Sequence, residues 1–126
     1  MPSMDRDRFE ELVAGVVDAL PGEFKELIDN VDIIVEDWPS SRQLKRVRLR
    51  SPYNLLGLYE GTPRTARGEN YNLVPPDKIT IFQRPLEASC RSLKELKLEI
   101  ARTVKHEIAH YFGIDDDRLD ELEGRR

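Results

Sequence analysis

A chain of 126 residues, 39% hydrophobic and 35% charged, can bury a core without staples, and its apolar residues come in periodic blocks that exclude a disordered protein. A formal net charge of -4 argues against a protein dedicated to nucleic acid or to an anionic membrane, and the single cysteine, Cys90, excludes an intrachain disulfide and suits a reducing compartment. No apolar run approaches the roughly 18 residues of a membrane span. The N-terminal stretch MPSMDRDRFEELV carries no signal-peptide pattern, so one domain over residues 1–126 is expected, cytoplasmic and without a membrane partner.

Asp5 to Leu20 places Phe9, Leu12, Val13, Val16, Val17 and Leu20 at helical spacing, and Pro21-Gly22 stops it. A shorter amphipathic piece with Phe24, Leu27 and Ile28 ends near Asn30. Val31 to Val35 is rich in β-branched residues and reads as a strand. Trp38-Pro39-Ser40-Ser41 breaks that pattern, and Arg42 to Arg50 alternates basic and apolar residues without a clear period. Leu55 to Tyr59 reads as a strand between turn signals, Arg64 to Pro76 as a loop, and Lys78 to Gln83 (KITIFQ) as the strongest strand. Ser92 to Phe112 is helical, with Ser92 as N-cap, Glu95 placed for a capping box and Gly113 for the left-handed residue past the end. Asp117 to Leu122 allows one last short helix. This order of helices, short strands and a long helix predicts an α+β fold.

The long helix contains His106-Glu107-Ile108-Ala109-His110. Residues four apart lie one above the other on a helix face, so His106 and His110 can bind one metal ion, and zinc suits paired imidazoles. Glu107 is not a ligand; it stands where it can take a proton from a metal-activated water. At about 100° per residue, Leu93, Leu96, Ile100, Val104, Ile108 and Phe112 form one apolar arc. The histidines fall just off its edge and Glu107 inside it, where a carboxylate needs a partner. Gly113 lets the chain turn, and the residue three beyond, Asp116, can return to the metal as a third ligand, giving HExxHxxGxxD. Asp115 and Asp117 are rivals for that role, or helix-capping acids.

At these residues the chain resembles the zincin metallopeptidases, and more narrowly a minimal zincin-like family of small bacterial proteins taken to be zinc metallopeptidases. LLGLYEGTPRTARG (Leu55 to Gly68), KITIFQRPLE (Lys78 to Glu87) and TVKHEIAHYFGIDDDRL (Thr103 to Leu119) all look like that family. The resemblance implies a small sheet packed on helices, one zinc ion held by His106, His110 and Asp116, and Glu107 as the base. The pattern departs from the larger metzincins, because Asp116 stands where they have a third histidine and no methionine follows Met4.

In zincins an edge strand aligns the substrate backbone; Leu55 to Tyr59 is a candidate, whereas Lys78 to Gln83 more simply builds the sheet. Tyr59, Tyr71 and Tyr111 could donate to a developing oxyanion, although half-buried packing is the commoner role of such tyrosines. Arg64 to Pro76 could form a lid. The basic stretch Arg42, Lys45, Arg46, Arg48, Arg50 reads first as a solvated face. Three functions follow: peptide-bond hydrolysis of a peptide or protein substrate, a metal-dependent ribonuclease, and a non-catalytic metal-binding interaction protein.

Overall fold

A computed structural model of the chain describes residues 3–62, 76–115, 117, 118 and 121. Helix α1 (Arg6–Asp18) starts where the Asp5 carboxylate accepts the Arg8 N–H at 2.9 Å, and it buries Phe9 and Val13. Pro21 then opens the short helix α2 (Gly22–Leu27), which buries Phe24. Strand β1 (Val31–Glu36) follows, and then helix α3 (Ser41–Arg46). A 3₁₀ turn (Pro52–Asn54) leads into strand β2 (Gly57–Glu60). Strand β3 (Asp77–Phe82) passes directly into helix α4 (Gln83–Ser89), and the 19-residue helix α5 (Leu93–Tyr111) comes last. The α+β expectation holds.

The three strands form one mixed sheet in the order β1-β3-β2. β3 lies in the middle, parallel to β1 with Ile33 opposite Ile79, and antiparallel to β2 with Tyr59 opposite Ile79. KITIF therefore builds the sheet centre, and the strand expected from Leu55 becomes an edge that starts at Gly57. Strand alternation gives the sheet two apolar faces. Ile79, Ile81 and Tyr59 join Phe9, Phe24, Leu96, Ile100, Val104 and Ile108 in the main core between the sheet and α1, α2 and α5. Leu58 and Phe82 turn the other way and pack with Leu55, Leu44, Val47 and Leu49.

Two helices were not legible. Trp38-Pro39-Ser40-Ser41 was expected only to break a pattern, yet Ser40 caps α3 in a full capping box: its Oγ accepts the Gln43 N–H at 3.1 Å, and Gln43 Oε1 accepts the Ser40 N–H at 2.8 Å. In α4, Pro85 sits within the first turn, where a missing N–H is harmless. The apolar arc of α5 is shorter than the wheel suggests. Leu96, Ile100, Val104 and Ile108 are fully buried, but Leu93 and Phe112, at the two helix ends, are each 42% exposed, Phe112 keeping an edge contact with the Tyr59 ring at 6.1 Å. Asp117, Arg118 and Glu121 are helical, and the remainder of the expected last helix lies outside the described residues.

Candidate metal centre

β2 and α5 run side by side in the same direction. Gly57 lies against Thr103, Tyr59 against Glu107, and Gly61 against Tyr111. Two strand residues advance about 6.6 Å and four helical residues about 6 Å, so the match persists over two helical turns. The approach is close: a Cβ on Gly57 would stand 2.6 Å from Thr103 Cγ2, and one on Gly61 2.8 Å from the Tyr111 hydroxyl. Glycine is required here by the nearness of the helix, and Gly-x-x-x-Gly across a strand was the signal that could have shown it.

This contact places the histidine-bearing face of α5 at the sheet edge. Phe82 N–H donates to the Leu56 carbonyl at 3.0 Å, so by antiparallel alternation Leu58 and Glu60 also bond to β3, while Gly57 and Tyr59 turn their backbone groups outward. The outward Tyr59 N–H donates to Glu107 Oε1 at 2.9 Å. Glu107 is half-buried, and burial pushes its carboxyl above the ordinary 4.5, an effect opposed by the Tyr59 N–H and by charge on His110 and His106. The partner expected for this carboxylate was a water on the metal; the structure supplies a strand N–H.

His106 and His110 are exposed, and among the described residues neither imidazole has a hydrogen-bond or ion-pair partner. Two uncommitted imidazoles one turn apart on one helix face fit a zinc ion as donors. Among the described residues no three His, Cys, Asp or Glu side chains come together, and Asp116 lies outside them. Of its rivals, Asp115 is committed: its carboxylate accepts the Arg118 N–H at 2.8 Å, as a helix cap does. Gly113 adopts φ 68°, and Ile114 N–H reaches back to the Ala109 carbonyl at 2.8 Å, so the chain does reverse after α5.

The tyrosines divide. The Tyr59 hydroxyl donates to buried Asp77 at 2.8 Å, which removes it as an oxyanion donor. Tyr111 stacks on the Tyr59 ring at 3.8 Å between centroids and lines the same cavity as Glu107 and His110. Tyr71 and the expected lid residues 64–75 lie outside the described residues. Asp77 was missed. It also accepts the Thr62 N–H at 2.7 Å and so ties the Tyr59 ring and the chain just after β2 to the start of β3, but an Asp before a β-branched run reads only as a turn residue.

Fold and geometry together define an α+β protein with a candidate metal centre at a sheet edge. A sequence model of the zincin-like metallopeptidase family matches residues 28–126, and the chain belongs to that family. No curated protein matches the sequence. The fold is similar to that of a conserved hypothetical protein from Thermo thermophilus, with 22% identity over 97% of this chain and 100% of the other and a TM-score of 0.52. No helix among the described residues is long and apolar enough to cross a membrane.

Proposed function

We propose that this chain is a zinc-dependent metallopeptidase that hydrolyses peptide bonds, with His106, His110 and Asp116 holding the metal and Glu107 as general base. The observation that carries the reading is the 2.9 Å bond from the outward Tyr59 N–H to Glu107 Oε1. It holds a base beside a strand edge where the Gly57 N–H and C=O and the Tyr59 C=O face outward, toward an extended peptide, and beside two imidazoles that have no partner among the described residues. Zinc, when bound, supplies Lewis acidity toward a carbonyl oxygen and toward water. Glu107 takes the proton of the attacking water and passes it to the leaving amine nitrogen, and its burial-raised affinity for protons suits both transfers. Among the described residues, Tyr111 is the phenol of this cavity left to donate toward a developing negative charge.

The test has two parts. Elemental analysis after growth with zinc should find about one zinc per chain in the wild type and none in His110→Ala. A peptide library should be cut by the zinc-loaded wild type and not by Glu107→Ala. Cutting at equal rates by both proteins removes the base assignment. Zinc without any cutting favours the non-catalytic metal-binding protein, and cleavage of RNA alone favours the ribonuclease.

A further inference from the structure

The outer edge of β1 lies across the sheet from Glu107, and the register assigns its backbone groups. The Phe82 N–H is spent on Leu56, so Phe82 and Thr80 turn toward β2, while Ile79 and Ile81 turn toward β1. In a parallel pair those two bond to Asp32, Ile34 and Glu36. Val31, Ile33 and Val35 therefore point their N–H and C=O groups away from the sheet. Two of these groups are taken: the Val31 N–H by the Ile28 carbonyl at 3.0 Å, and the Val35 carbonyl by Arg6. The Val31 carbonyl, both groups of Ile33 and the Val35 N–H have no partner among the described residues. An added strand uses these same four groups whichever way it runs.

A cavity of about 580 Å³ lies along this edge beside α1. Among the described residues its lining is valine, isoleucine and alanine, apart from three acids, Glu10, Asp18 and Asp32. All three acids are exposed, and none of their carboxylates has a hydrogen bond or ion pair among the described residues. Two cations stand near: Arg6, held by Asp37 at 3.1 Å, and Lys25, whose ammonium donates to the Asp18 backbone carbonyl at 3.2 Å. α1 runs back along β1, its Arg6 end at Val35 and its Asp18 end joined through α2 to Val31. Glu10 and Asp18 are eight helical residues apart, about 12 Å along the axis. Positions i and i+4 of a strand are about 13 Å apart and share one face, and position i+2 between them meets the wall of Val13, Val17 and Ile33.

We propose that this edge docks an extended segment of a partner protein that presents a basic, an apolar and a basic residue at alternate positions on one face. The pattern reads the same in both directions, so either strand direction satisfies it. Charge complementarity chooses this occupant: a second copy would set Glu10, Asp18 and Asp32 against the same acids, and a net charge of -4 adds to that repulsion.

The test measures binding of the full chain to two capped peptides, Thr-Lys-Thr-Val-Thr-Lys-Thr and its twin with glutamate in place of both lysines, and then amide hydrogen exchange. The lysine peptide should bind about tenfold more tightly, the size expected of two exposed charge pairs set against two like-charge contacts. It should slow exchange of the Ile33 and Val35 N–H groups and leave that of Ile34, already bonded within the sheet, unchanged. The double variant Glu10→Lys with Asp18→Lys should reverse the order of the peptides; both positions are exposed on α1, so the fold should stand. Equal binding of the two peptides, no binding of either, protection at Gly57 in place of Ile33, or an order indifferent to the double variant overturns the proposal. Protection of Ile33 that grows with protein concentration in the absence of peptide assigns the edge to a second copy and overturns it as well.

Discussion

β1 and β2 are both edge strands, and a helix side chain reaches each of them. On β1, Arg6 of α1 donates from Nη1 to the Val35 carbonyl at 2.9 Å. On β2, Glu107 of α5 accepts the Tyr59 N–H, also at 2.9 Å. The chemistry around the two contacts separates them. The Arg6 guanidinium is held by Asp37 at 3.1 Å; Asp37 is shared with Arg84, which in turn binds the buried Glu87 that anchors Met4. Every charge there has a neighbour, so the arrangement is a clamp that ties the N-terminus to α4 and β1. Around Glu107 the neighbours are two imidazoles without a partner among the described residues, and burial makes its ionised form costly. A side chain closing a strand edge is the same device in both places; free donors beside it turn one copy into a candidate site.

Zinc should distinguish the two edges most strongly. With free zinc at about 100 times its dissociation constant, the wild type should gain about 2.7 kcal/mol in urea melts. Arg6→Ala should gain the same increment, because its edge lies apart from the histidines, and His110→Ala should gain none. A full zinc shift in His110→Ala would place the metal elsewhere.

The second expected effect tests the closeness of β2 to α5. Gly57→Ala forces a Cβ onto Thr103 Cγ2 and within 3.3 Å of the Thr80 carbonyl, and should cost about 1–3 kcal/mol by overpacking. Adding Thr103→Ser removes the methyl and should recover part of that loss, so the double-mutant cycle should show a favourable coupling. Strict additivity would mean that the strand does not press on the helix there. Arg6→Ala comes next, at about 1 kcal/mol, since its contacts are partly exposed and screened. It should leave zinc affinity unchanged.

The same contrast explains what the sequence disclosed. The candidate site on α5 could be named because helical spacing alone puts His106 and His110 on one face, and the reversal that Gly113 announces does follow. The edge role of Leu55 to Tyr59 could be proposed but not its register, since the pairing of Tyr59 with Glu107 depends on glycines packed against a distant helix. Asp77 was invisible for the same reason: its role comes from a tyrosine 18 residues away in the chain. Helix α3 was overlooked despite its Ser40–Gln43 box, because a six-residue amphipathic turn rich in arginine has too few apolar positions to show a period.

The end of α3 carries the smallest prediction. Leu49 N–H bonds to the Leu44 carbonyl at 2.9 Å and Arg48 N–H to that of Lys45 at 3.1 Å, the same pattern that ends α5, and Leu44 and Leu49 pack together under β2. The residue in the left-handed conformation is Gly113 in α5 but Arg48, at φ 61°, in α3. A side chain there is strained, and glycine relieves the strain at some entropic expense, so Arg48→Gly should raise stability by about 0.5–1 kcal/mol. Because α3 supports the face of β2 turned away from α5, the gain should appear in melts with and without zinc and leave peptide cleavage unchanged. If Arg48→Gly instead slows peptide cleavage, the support under β2 and the chemistry on its edge are coupled, and the separation drawn between clamp and site must be redrawn.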